Sequence, residues 1–344
     1  MSPTAPIRIA SVVFTLLGLV AAQAGAAPDE VGRQILAATG ISEKQIRSLG
    51  DDVLVVELPV PDASRQASFV GLVRIAQGYQ TLFASSQTSE APALLTPKQF
   101  GAFVAAAQAE DLAGLELPPD DFEVLEECEP AACRFKLDSS GIEFTRTLDW
   151  NHSNAPRDFL AWFRGALDRN VSQYRSQGLA GLITYADKPR PFAVATGVKQ
   201  LEQQSAALLG LHPGIKAYLD AYPGGKPDGI TDRIVWTVSD FGYRPTLSVD
   251  HAIVAEASSG SGLGSAMVLR TLYANHYLAG RLQLGSVIDG ERVFGVPGHY
   301  VLALDQMLFD DELGRMKRGL LARGLKSNVS DRLAGLRARA SAGL

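Results

Sequence analysis

Four stretches decide the fold: RIVWTVSD (233–240), TLSVDHAIVAE (246–256), AMVLRTLYANHYLAGRLQLGSVI (266–288) and HYVLALDQML (299–308). Each is apolar or alternating over strand length and rich in β-branched and aromatic residues. The turn-forming sequences FGYRP (241–245) and ASSGSGLG (257–264) separate the first three. The pattern predicts long antiparallel strands. Alternation puts Leu247, Val249, His251 and Ile253 on one face of the second strand. In the third, Val268, Leu272, Leu282 and Leu284 share a face with Arg270 and His276. In the first, Ile234, Trp236 and Val238 share a face with Asp240. Ionisable groups therefore interrupt the apolar face of three consecutive strands. A turn at 241–244 pairs Trp236 with Val249. A loop at 257–264 pairs His251 with Arg270 and sets His276 opposite Pro245. Asp240 and His276 then stand at one level on the strands flanking the middle one, about 9–10 Å apart.

Downstream, residues 313–336 read as an amphipathic helix, with Leu313, Met316, Leu320, Leu321, Leu325, Val329, Leu333 and Leu336 inward. From Arg315 to Arg339 it carries Arg315, Lys317, Arg318, Arg323, Lys326, Arg332, Arg337 and Arg339 against the single acid Asp331. Such a helix packs on a sheet with a solvated basic face, and it can also lie on an anionic membrane surface. Upstream, 29–49 reads as one or two helices, and 52–60 and 67–76 as strands. An alanine-rich helix is expected over 98–109, with Thr96 as N-cap and Pro97 at the first helical position. A short helix follows at 120–127 and strand material at 133–148. Residues 156–186 form a long helix broken at Gly178. Shorter helices follow at 198–211 and 214–222.

At the start of the chain, Arg8 precedes the apolar run Ile9–Ala22 and the small residues around Ala24, Ala26 and Ala27. That is the pattern of a signal peptide (1–27) cleaved near Ala26 or Ala27. It implies export, and the alanine-rich style suggests a bacterial periplasm. The remaining residues, 28–344, are expected to form one domain with a helical insertion around 77–127. Cys128 and Cys133, in CEPAAC, are expected to pair as a disulfide, as suits an exported protein. The chain has 344 residues, 46% hydrophobic and 20% charged, which excludes disorder and leaves ample material for a core. Its net charge of −5 offers no basic field for nucleic acid. Loss of Arg8 with the leader leaves 31 basic against 37 acidic residues, or −6, so the basic C-terminal helix belongs to an acidic body. Nucleophile-elbow, phosphate-loop and zinc motifs are absent, and Gly260, Gly262 and Gly264 read as a hairpin loop. No cofactor and no metal is expected.

The order of elements resembles the START-type helix-grip superfamily. Helices come first, then two or three strands, long helices, four long strands and a C-terminal helix. The resemblance implies an α+β fold in which a curved antiparallel sheet wraps the last helix around an apolar tunnel, here with extra helices. The segments CEPAAC, WTVSDFGYRPTL (236–247), His251 and LYANHYL (272–278) also resemble an uncharacterised family of exported bacterial proteins. That second resemblance implies no activity.

The expected function is binding, with transport as an extension, of a hydrophobic small molecule such as a lipid. The ligand is expected between the sheet and the C-terminal helix, with Trp236, Asp240, His251, Arg270, His276 and Tyr300 lining or anchoring its cavity. Two alternatives come from other classes. One is a hydrolase or isomerase with His276 or His251 as base and Asp240 as orienter. The other is an envelope interaction protein that contacts membrane through residues 313–339.

Overall fold

The computed structural model describes residues 27–76, 82–83, 90–104, 109–240, 244–257 and 260–342. Residues 1–26 of the expected leader (1–27) lie outside these residues, as do parts of the 77–127 segment and of the two turns flanking the second long strand.

The chain opens with α1 (Glu30–Thr39) and α2 (Glu43–Arg47). Asp29 caps α1 by accepting from the Gly32 amide, and Ser42 and Gln45 form a capping box on α2. The hairpin β1 (Val53–Glu57) and β2 (Gln66–Ile75) follows, then β3 (Gln99–Phe103). Next come α3 (Pro119–Glu126), α4 (Ser139–Thr147), the long α5 (Ala155–Gln177) and a two-residue hairpin of β4 (Thr184–Tyr185) with β5 (Phe192–Ala193). The helices α6 (Val194–Gln204), α7 (Ala206–Leu209) and α8 (Pro213–Ala221) lead into β6 (Ile230–Asp240), β7 (Pro245–Ala255), β8 (Leu263–Ala274) and β9 (Leu278–Asp289). A short α9 (Gly290–Phe294), β10 (His299–Phe309) and α10 (Arg315–Ala342) complete the chain. Eight strands form one antiparallel sheet in the order β1-β2-β10-β9-β8-β7-β6-β3. The protein is therefore α+β, with a large antiparallel sheet and a C-terminal helix.

Three expectations fail, each for a physical reason. The stretch 266–288 is two strands, because Asn275–Tyr277 turns the chain. The Asn275 side chain accepts from the Leu247 amide, and Tyr277 takes the left-handed conformation at φ 55°. His276 thus sits in a turn and does not face Pro245. Residues 99–103 are a strand and not a helix. They pair with the edge of β6, where Gly101 lies under the Trp236 indole, which a Cβ would meet at 2.4 Å. The alanines that suggest a helix lie mostly beyond residue 103, and QFGAF itself, with a glycine and two phenylalanines, is readily drawn into the sheet. Residues 139–147 are a helix and not a strand. Asp138 caps the Gly141 amide, and the buried residues Ile142 and Thr145 follow helical spacing, which a period-two reading misses.

Both faces of the sheet are covered. One face carries Leu72, Leu302, Leu284, Val268 and Ile253 against α1, α6, α7 and α8. Further along it, Trp236, Val249 and Leu272 meet the apolar side of α5. The opposite face carries Phe69, Val73, Val301 and Met307 against Leu325, Val329, Leu333 and Leu336 of α10, with Phe83 and Leu94 beside them. α10 comes very close to β2. A Cβ on Gly71 would lie 2.2 Å from Leu333 Cδ1.

A buried ion cluster ties α10 to the sheet. Asp305 of β10 accepts from Arg281 Nε at 2.9 Å and from Arg281 Nη2 at 2.6 Å. It also accepts from Gln283 Nε2 at 3.2 Å and from Arg332 of α10. Burial alone would raise the Asp305 carboxyl, but Arg281 and Arg332 outweigh it and hold the carboxyl below its ordinary range. Cys128 and Cys133 stand at disulfide distance, Cα–Cα 4.5 Å, closing the loop before the buried Phe135. Among the described residues, no helix is long and apolar enough to cross a membrane.

Candidate ligand site

The expected site residues are spread over several places, none of them a cavity beneath the C-terminal helix. His251 and Arg270 are directly paired in the β7–β8 register, as the alternation requires. Trp236, His251, Arg270 and Tyr300 all lie on the face turned away from α10. They therefore do not line a cavity beneath the C-terminal helix. Alternation places them with Leu302 and Val268, and α10 covers the other set.

On that face a chain of hydrogen bonds runs through the core. Arg270 Nη1 donates to Tyr174 Oη at 3.0 Å, and the Tyr174 hydroxyl meets His251 Nδ1 at 2.8 Å. With Arg270 donating, the hydroxyl proton points to Nδ1. The imidazole proton then sits on Nε2 and is donated to Asp232 Oδ2 at 2.8 Å. Arg270 Nε donates to Glu202 Oε1 at 2.8 Å, and Lys226 donates to Asp232 Oδ1 at 2.6 Å. Burial pushes the His251 imidazole down to about 4, with the Asp232 hydrogen bond offsetting part of the effect. Burial would raise the Asp232 carboxyl, but the bonds from His251 and Lys226 hold it well below the carboxylate range. Tyr222 stacks on Tyr174 and lies 4.6 Å from His251, ring centre to ring centre. Every nitrogen of His251 is used and aromatic rings cap it. This arrangement satisfies a core and leaves a catalytic base no room for substrate.

The other expected residues are separate. Trp236 donates to the Asp111 carbonyl at 2.8 Å. Tyr300 packs edge-on against Phe294. Asp240 is half-exposed and pairs with Lys98 at 2.9 Å. It does not approach His276, because the β8–β9 turn carries that histidine to the end of the sheet.

At that end the structure is open. His276 Nε2 donates to the buried Asp121 Oδ1 at 2.8 Å, and its Nδ1 faces the Arg134 carbonyl at 3.2 Å. Asn275 Nδ2 also donates to Asp121, at 3.3 Å, and Arg244 stands 3.6 Å from it. Both ring nitrogens of His276 are engaged with acceptors of the protein, which leaves neither free to act as a base. Beside it lies a pocket of about 230 Å³, whose lining includes Arg134, Lys188, Arg244, His276, Tyr277, Asp310 and Asp311. Lys136 lies behind it, buried over the Tyr185 ring and 3.2 Å from Asp310.

A second hollow, of about 260 Å³, adjoins the first and shares Tyr277, Asp310 and Asp311 with it. Its apolar lining is Leu278 and Phe309 from the sheet and Leu313 and Leu321 from the C-terminal segment, with Lys317 at the rim. Tyr277, in its left-handed turn conformation, borders both. Backbone strain of this kind persists where the surroundings impose it and gathers at binding sites.

No local pattern points to Asp121, Lys136, Tyr174 or Glu202 as a group, because each is far in sequence from the residues it meets. Two weaker signals exist. Lys136 interrupts the apolar strip Phe135–Leu137, and Asp310, Asp311 and Glu312 form an acidic run at the end of a buried strand. A wider cleft of about 610 Å³ between α4, α5 and residues 182–184 contains none of the expected residues. Among the described residues, no group of three or more His, Cys, Asp or Glu is placed to hold a metal ion. Comparison with family models, with curated proteins and with solved structures finds no match to the chain.

Proposed function

We propose that the protein binds an amphiphile, an apolar chain with a polar head, where α10 begins and β9 and β10 meet at the sheet's end. The reading keeps the expectation of a hydrophobic ligand at the C-terminal helix and moves its position. A START-like plan is consistent with the long antiparallel sheet and the helix along one face. The observation that carries the reading is the junction of the two hollows. One is walled by Leu278, Phe309, Leu313 and Leu321, and the other by Arg134, Lys188, Arg244 and His276. The apolar hollow, at about 260 Å³, is just below the ~300–1,000 Å³ of ordinary ligand pockets, so it takes the end of a chain and not a whole lipid. Binding is favoured over hydrolysis because both histidines are bonded at both nitrogens.

The test is titration with a dansyl-labelled fatty acid, on the wild type and on Leu313→Trp and Leu321→Trp, which fill the hollow. Excluding two methylenes forfeits about 1.6 kcal/mol, more than tenfold in affinity. Saturable one-to-one binding that weakens by that factor in both variants supports the reading. Absence of saturable binding, or binding that neither variant changes, overturns it.

A further inference from the structure

The eight cations of α10 are not equivalent in the structure. Arg332 is committed to Asp305 and to the Leu94 carbonyl, and Arg339 donates to the Ala93 carbonyl at 3.0 Å. Arg337 is half-buried. Those three serve packing. The earlier turns are different. Every residue from Gly314 to Leu320 is exposed, because the helix begins beyond the part that rests on β1 and β2. Arg315, Lys317 and Arg318 have no acidic partner within ion-pair distance among the described residues. Of the acids before the helix, Asp310 is paired with Lys136 and Asp311 with Lys188, which leaves Glu312. Two large apolar side chains share this overhang, Met316 at 81% exposure and Leu320 at 53%. They stand one turn apart, on the side of the helix away from Leu325, Val329 and Leu333.

We propose that this overhang, residues 314–323, docks the protein on an anionic lipid surface. Met316 and Leu320 enter the interface, Lys317 and Arg323 flank them toward the lipid phosphates, and Arg315 and Arg318, further round the helix, add their charge to the attraction. The charge selects the partner. An exposed apolar pair set among cations with no acidic partner matches a lipid surface, which offers an apolar layer beneath a plane of phosphates. The sequence alone spreads this property over the whole helix, but the structure confines it to the turns that no sheet residue neutralises. The site does not require the amphiphile hollow to be occupied.

The test is sedimentation of the full chain with phosphatidylcholine vesicles, with and without phosphatidylglycerol, at low and high salt. The variants are Met316→Ser/Leu320→Ser and Arg315→Glu/Lys317→Glu/Arg318→Glu, with Arg157→Glu, at an exposed position of α5, as the charge control. The apolar stretch 9–22 is common to all of them, so differences between variants report the overhang. The expected result is phosphatidylglycerol-dependent binding that falls at least about tenfold at high salt and in both variants, but not in the control. In a second readout, Leu320→Trp places an indole at the interface, and its emission moves to the blue only with phosphatidylglycerol vesicles. Variants that sediment like the wild type, or an indole emission in Leu320→Trp that does not move, overturn the proposal.

Discussion

Replacing Asp305 with Asn is the sharpest test of how α10 is held. The carboxylate is buried and receives the bidentate Arg281 fork at 2.9 and 2.6 Å, Gln283 at 3.2 Å and Arg332 from the helix. Asparagine keeps the shape but removes the charge, and it turns an NH2 group toward cations. Both guanidinium groups lose the carboxylate that joins them, and breaking such a buried pair costs about 3–5 kcal/mol. At about 2–4 °C per kcal/mol, the melting temperature should fall by roughly 6–20 °C. Urea denaturation followed by circular dichroism at pH 7 measures the loss directly. The folded carboxyl titrates below its ordinary value, so its stabilisation is whole above about pH 4 and is lost as pH falls through the folded value. The gap between wild type and variant should therefore close on acidification below that point. A loss under about 1 kcal/mol at pH 7 would falsify the view that this cluster is desolvated and ties the helix down.

Three further outcomes are expected. Tyr174→Phe leaves Arg270 Nη1 and His251 Nδ1 without their shared partner, which should cost about 2–4 kcal/mol in urea unfolding, and a change under about 0.5 kcal/mol would count against the relay. His212 and His251 are both pushed down to about 4 by burial, so the unfolded chain binds more protons between there and 6.5. Stability is complete above about pH 6.5 and should drop by about 3 kcal/mol per histidine as pH falls to 4, whereas a flat urea midpoint across that interval would contradict it. Gly71→Val puts a branched side chain where a Cβ would already stand 2.2 Å from Leu333 Cδ1, and overpacking of about 1–3 kcal/mol should loosen α10. Limited trypsin digestion should then release C-terminal fragments sooner than from the wild type, and unchanged cleavage would show that the contact gives way cheaply.

The long strands were legible because a sheet buried on both faces reads as long, near-continuous apolar runs rich in β-branched and aromatic residues. His251 opposite Arg270 and Trp236 opposite Val249 follow from turn positions and alternation alone. What could not be read was competition between local and distant forces. Residues 99–103 open the segment whose later alanines suggest a helix, yet they complete the β6 edge, where Gly101 fits the Trp236 ring. The turn at Asn275–Tyr277 has no glycine or proline, and a single asparagine between two apolar runs is a weak signal of a reversal. It is held by Asn275 bonding to β7 and to Asp121, partners remote in sequence. With 266–288 unbroken, His276 belongs to a buried strand, whereas the turn brings it to the rim beside Tyr277.

The position of β10 has a consequence for how the chain acquires its structure. β10 lies between β2 and β9, so Phe69 faces Asp305 across almost the entire intervening chain. The β1–β2 hairpin, though made early, has no neighbour to pair with until residues 299–309 arrive. Closing so large a loop is entropically costly and slow, and little of it is recovered before the last strand docks. Until then β2 offers an open edge of apolar residues, a surface prone to pairing with other chains. A chain interrupted before residue 299 therefore lacks the join between the two halves of its sheet. Synthesis of the final strand turns two separate sheet fragments into one.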